Sequence, residues 1–166
     1  MLDNLPGKVE PLSLAVAGRT FIGKLRLSEF ARLPGLLEES TGHVDVRLVF
    51  EIDSRQLPVM RGSVSGKIAL VCQRCMDQMS FDLDVSFLLA LMTSANETTE
   101  LPEGYESLLI SGESVALSDL IEDEIILSLP LISAHPDEEQ CQAFVEHRNT
   151  TQKEISPFAV LEKLKK

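Results

Sequence analysis

Residues 64–91 read VSGKIALVCQRCMDQMSFDLDVSFLLAL, two alternating runs hinged on a C-x2-C turn. Before the turn, Val64, Gly66, Ile68, Leu70 and Cys72 alternate with Ser65, Lys67, Ala69 and Val71. After it, Phe81, Leu83, Val85, Phe87, Leu89 and Leu91 alternate with Asp82, Asp84 and Ser86. A period of two gives each strand one face in a core and one in water. So short a connection makes the two strands antiparallel neighbours. The same period runs upstream through Val44, Val46, Leu48, Phe50 and Ile52, with Ser54, Arg55, Gln56 and Pro58 in the intervening turn. Three strands in a meander result, and parity turns Cys72 to the core side with Ile68 and Leu70.

Outward from this meander, Leu12–Ala17 and Leu108–Ile110 read as further strands. Ser28 can cap a short helix toward Leu37, which Pro34 limits to little more than a turn. The polar, acidic stretch from Thr93 to Tyr105 reads as a mobile loop. The clearest helix runs from Asp119 to about Leu129, with Ser118 as N-cap and Pro130 as its stop. On this helix Asp119, Glu122 and Asp123 share one arc, opposite Leu120, Ile121, Ile125 and Leu127. Glu124 falls among the apolar residues, so its head either reaches water, pairs with an arginine such as Arg74 or Arg61, or serves a function. Segment 131–156 reads as irregular and mobile. Pro157-Phe158-Ala159-Val160-Leu161-Glu162-Lys163-Leu164-Lys165-Lys166 reads as a short basic-ended helix or hook that docks on the body. The whole is one α+β domain over residues 1–166: an antiparallel sheet, with barrel-like closure as one option, a packed helix and an irregular C-terminal region.

Hydrophobic residues make up 44% of the chain and aromatic residues 5%, without tryptophan, as in ordinary globular proteins. Three cysteines exclude a full disulfide framework and favour a reducing compartment. The best apolar run near the start, Leu12 to Ala17, is too short for a secretory or membrane segment, so the expected location is the cytoplasm. The net charge of −11 argues against a general nucleic-acid binder. Its distribution is more telling: residues 81–147 hold fifteen acidic side chains and no lysine or arginine, whereas residues 148–166 hold five basic and two acidic. That acidic surface is either a solvated face or a dock for a basic partner such as a ribosomal protein.

Cys72 and Cys75 have the spacing of half a zinc site. The remaining ligands of suitable type are His135 and Cys141, about sixty residues on and irregularly spaced. For RNA, Arg47, Arg55, Arg61, Lys67, Arg74 and the terminal lysines are the candidate phosphate contacts, or else solvated strand-edge charges. Tyr105 is the only tyrosine, and no aromatic-rich strand offers a stacking platform for bases. A hydrolytic centre would have to use Glu122, Asp123 and Glu124 around magnesium with His135 as base. Successive helical residues diverge by about 100°, however, and neither a nucleophile motif nor a Gly-rich phosphate loop is present. The expectation is therefore a protein without catalytic activity.

Taken in order, Cys72-Gln73-Arg74-Cys75, Leu101-Pro102-Glu103-Gly104-Tyr105, Asp119-Leu120-Ile121-Glu122-Asp123-Glu124-Ile125-Ile126-Leu127-Ser128-Leu129-Pro130, His135, Cys141 and Pro157-Phe158-Ala159-Val160-Leu161 resemble one family. This is the YceD family, the large ribosomal RNA subunit accumulation proteins of bacteria and plant organelles. The resemblance covers most of the chain from about Val44 onward. It implies a role in the synthesis, processing or stability of large-subunit (23S) ribosomal RNA, hence in ribosome biogenesis, and supplies no active-site residues. The family gene often neighbours that of a small large-subunit ribosomal protein, which fits an assembly role. Relatives in other bacteria carry a fuller cysteine set after the L-x-L-P segment. Here only His135 and Cys141 stand in that region, so the four residues form either a degenerate zinc site or a metal-free cluster. An alternative to direct action on the RNA is a zinc-stabilised adaptor for a basic ribosomal protein.

Overall fold

The structure is a computed structural model describing residues 5–94, 101–112, 114–137 and 140–141. The long antiparallel ladder joins β4 (Pro58–Val71) to β5 (Gln78–Met92), with Val64 opposite Val85 and Ile68 opposite Phe81. On the other side of β4 lies β3 (His43–Ile52), and beyond it β2 (Thr20–Arg26). Strands β3, β4 and β5 form the expected meander, which β2 extends by one strand that the sequence reading did not include. A fifth, β6 (Glu106–Leu109), joins β5 in parallel, so the sheet is mixed rather than purely antiparallel. With order β2-β3-β4-β5-β6 the sheet is open, and its edge strands do not pair with each other. The barrel-like option is thereby corrected.

Alternation decides the faces. Val44, Val46, Leu48, Phe50, Val64, Ile68, Leu70, Leu83, Val85, Phe87 and Leu89 are buried, while Asp45, Arg47, Ser65, Lys67, Asp82, Asp84 and Ser86 are exposed on the other face. The pattern fades at the end of β3, where Ile52 is 40% exposed rather than buried. Gly62 sits opposite Phe87, whose ring occupies the space a Cβ would need. The aromatic side chain thus fills the gap a strand glycine leaves.

Leu12–Ala17, expected as a strand, belongs to helix α1 (Pro11–Ala17). Pro11 stands in the first turn, where its missing N–H costs nothing, and Gly18 ends the helix at φ 61°. The N–H groups of Gly18 and Arg19 return to the carbonyls of Ala15 and Leu14. The Ser28–Leu37 segment forms two 3₁₀ turns, Leu27–Glu29 and Leu33–Gly35, that deliver Leu27, Phe30, Leu33 and Leu37 to the core. Two-residue strands β1 (Lys8–Val9) and β7 (Val115–Ala116) pair antiparallel just before the second helix.

That helix, α2, spans Leu117–Ser128 and packs on β5. Its N-cap position is Ala116, not Ser118, and Ser118 Oγ donates to Asp119 at 3.3 Å instead. Leu129 is extended, as the residue before a proline must be. The expected docking helix at 157–166 and most of the irregular segment 131–156 lie outside the described residues. Among the described residues, no helix is long and apolar enough to cross a membrane.

Candidate metal centre

The turn between β4 and β5 is a knuckle built on its own backbone. Cys72 N–H donates to the Asp77 carbonyl at 2.9 Å, and Met76 N–H returns to the Cys72 carbonyl at 2.8 Å. Met76 takes the left-handed conformation, φ 64°, that lets the chain reverse within so few residues. Gln73 N–H then reaches across to the carbonyl of Ser133 at 2.7 Å. That one bond brings the segment after α2 against the knuckle, and with it His135 and Cys141.

The result is a cluster of three thiols and one imidazole, with ligand atoms of Cys72, Cys75, His135 and Cys141 all within 4.8 Å of one another. Cys72 and Cys141 are fully buried, and all three cysteines are free thiols. Cys72 Sγ and Cys141 Sγ are 3.9 Å apart, nearly twice the roughly 2.05 Å of a disulfide. His135 Nδ1 lies 3.5 Å from Cys75 Sγ and 3.5 Å from Cys141 Sγ. A tetrahedron with Zn–S of about 2.3 Å and Zn–N of about 2.05 Å has edges of roughly 3.8 Å between sulfurs and roughly 3.6 Å between sulfur and nitrogen. The three observed separations match those edges, and every other pair lies within 4.8 Å. The donor set therefore fits a four-coordinate metal ion such as zinc, and Cys72, Cys75, Cys141 and the His135 ring would hold it.

The surroundings set the chemistry of each ligand. His135 Nε2 faces the Gln78 carbonyl at 3.3 Å. A carbonyl only accepts, so the proton resides on Nε2 and the Nδ1 lone pair points at the thiols. Burial by itself would raise the Cys72 pKa. Backbone N–H groups of Cys75, His135 and Arg74 outweigh it and bring that thiol down to about 5. The thiol of Cys75 moves the other way, to about 11, through burial and the neighbouring sulfurs. One thiolate is thus stabilised within the protein, by backbone N–H groups and then the Cys75 thiol, and a bound cation would supply the charge needed for the others.

Arg74, within the C-x2-C itself, closes the arrangement. Its Nε donates to Cys141 Sγ at 3.1 Å, and its Nη2 to the carbonyls of His135 and Asp137, each at 3.1 Å. It thereby staples both ligands of the distant segment to the knuckle. Three thiolates around a divalent ion leave one net negative charge, which this guanidinium balances. The expected grouping of Cys72, Cys75, His135 and Cys141 is met; the Gln73–Ser133 bond and Arg74, which the sequence did not single out for this, make the link.

A family model described as the large ribosomal RNA subunit accumulation protein YceD matches residues 60–165, nearly two thirds of the chain. The chain belongs to the YceD family. A Haemophilus influenzae protein named large ribosomal RNA subunit accumulation protein YceD is 32% identical over 168 residues, covering 97% of this chain and 96% of its own length. No solved structure matches.

The other expected contact residues of this YceD-family chain are dispersed. Arg61 pairs with Glu51 at 2.7 Å and Lys67 with Asp82 at 3.4 Å, both pairs at the surface. Arg55 is exposed in the β3–β4 turn, where its backbone N–H donates to Asp53. Asp53 is buried, taking the N–H groups of Arg55 and Leu57 on one oxygen and the Tyr105 hydroxyl at 2.7 Å on the other. These partners overcome the desolvation of its carboxylate and lower its pKa.

The carboxylates of α2 diverge as helical geometry requires. Glu122, read from its arc as exposed, is the buried one at 1% exposure. Its Oε1 accepts from the backbone N–H groups of Arg32 at 2.6 Å and Leu33 at 2.8 Å, and its Oε2 from Arg32 Nε at 3.1 Å. Asp123 takes the other end of the same guanidinium at 2.7 Å. Glu124, expected to reach water, to pair with an arginine such as Arg74 or Arg61, or to serve a function, is half-buried beside Glu106 and Asp123, and burial followed by these like charges raises its pKa. The clamp residue Arg32, ninety positions away, had no signal in the sequence.

Proposed function

We propose that this protein is a non-enzymatic factor of ribosome biogenesis that sustains the accumulation of large-subunit (23S) ribosomal RNA in the cytoplasm. In this reading its metal centre is a structural zinc knuckle. The observation that carries the reading is the closed ligand set, on a chain of this family. Four protein ligands gathered within 4.8 Å of one another would leave a four-coordinate ion no open position for a water or a substrate, which is the mark of structural rather than catalytic zinc. The engagement of Glu122 and Asp123 by Arg32, with Glu124 turned away beside Glu106, also supports it, since among the described residues no second constellation converges on a reacting centre.

The test is genetic and biochemical. Deletion of the gene is expected to lower the ratio of 23S to 16S ribosomal RNA, and the intact gene to restore it. Purified protein with magnesium and precursor large-subunit RNA is expected to leave the RNA uncut. An unchanged ratio would remove the biogenesis role, and specific cleavage by pure protein would make it an enzyme.

A further inference from the structure

The C-terminal end of α2 and the chain just beyond it expose three large apolar side chains within six positions. Leu127 is 76% exposed, Leu131 98% and Ile132 73%. Scattered surface hydrophobes are ordinary, whereas a run at one end of one helix marks a contact surface. The unpaired charge beside it is negative. Asp123, paired with Arg32, and Glu124 lie one turn before Leu127 on the helix. Glu124 faces Glu106 of β6, and among the described residues it has no basic partner. Its raised pKa reflects that repulsion after burial. The last turn of α2 carries no basic residue, so the negative end of the helix dipole adds to the same field.

The run is also held in place. Ile132 immediately precedes Ser133, whose carbonyl accepts the Gln73 N–H of the knuckle. The Cys/His cluster therefore fixes the position of the apolar residues. An acidic surface repels the phosphates of RNA and attracts a cationic polypeptide.

We propose that Leu127, Leu131 and Ile132, flanked by Glu106 and Glu124, form the docking surface for a basic protein segment in which lysines and arginines alternate with apolar residues. The inference rests on the biogenesis reading and names the chemistry of the partner.

The experiment places p-benzoylphenylalanine at Leu131 of the full chain in growing cells and identifies the photocrosslinked peptides by mass spectrometry. The expected product is a segment of another protein rich in lysine and arginine interleaved with apolar residues. Glu124→Lys should lower its yield about ten-fold. Leu127→Ser and Ile132→Ser, which alter exposed side chains only, should lower it similarly and guard against a Glu124 variant that fails to fold. Crosslinks to residues 142–166 of this chain, to RNA or to an acidic or neutral protein would overturn the proposal. So would no crosslink, or a yield indifferent to all three substitutions. The ribosomal RNA ratio in the deletion strain is a separate readout, so a failed docking surface leaves the biogenesis reading standing, and the reverse.

Discussion

Arg74 shows how much one side chain can decide. Sequence placed it among the candidate RNA contacts, as a basic residue in a turn. In the fold it spends its donors on Cys141 Sγ and the carbonyls of His135 and Asp137. Outer-shell partners of metal ligands typically contribute ten- to a hundred-fold in affinity. Arg74→Ala should therefore weaken zinc retention by about ten-fold or more, read by competition with a chromophoric chelator. Arg74→Lys should rescue little of the loss, because an ammonium cannot span the sulfur and two carbonyls as a planar fork does. If both variants hold zinc as the parent does, Arg74 is not part of the centre. The C-x2-C half was legible from spacing and the other two ligands from residue type, and the structure gathers those four. What the sequence did not show is how they are held: by the Gln73–Ser133 backbone bond and by this arginine.

Among the elements, the three long strands were legible because each has a dry face and a wet face. Strand β2 escaped notice for the opposite reason: its inward residues Phe21, Gly23 and Leu25 are only half-buried and Ile22 is 57% exposed, so the contrast vanishes. For α1 the apolar run hid the stronger information of Pro11 and Gly18. On α2 the wheel set Glu124 among the apolar residues and Glu122 opposite them, yet Glu122 is buried because it caps the 3₁₀ turn at Leu33 in place of a local residue. Burial alone would raise its pKa, but the Leu33 and Arg32 N–H groups and the Arg32 guanidinium bring it below 4.5. A lowered folded pKa means stability that is full above the unfolded value and is lost as pH falls through the folded one. Glu122→Ala should cost about 3 kcal/mol at neutral pH, since it strands buried donors. The difference in melting temperature between parent and variant should shrink as pH drops below about 4.5. A difference independent of pH would show that the carboxylate charge plays no part.

At the scale of the whole molecule, charge and the Cys/His cluster divide the labour. A polar sheet face bears Arg47 and the Arg61–Glu51 and Lys67–Asp82 pairs, while the α2 side carries uncompensated acid and exposed hydrophobes. The knuckle ties the longest hairpin to the segment after α2, so the sheet and the proposed docking surface share one fixed point. The most direct test of this account is the metal content of the full chain, purified without metal-affinity steps and measured by elemental analysis, together with its melting temperature before and after chelation. The account predicts one zinc per chain, its loss in Cys72→Ser and Cys75→Ser, and a clear fall in melting temperature on chelation. A metal-free protein whose melting ignores both chelator and substitutions would contradict it.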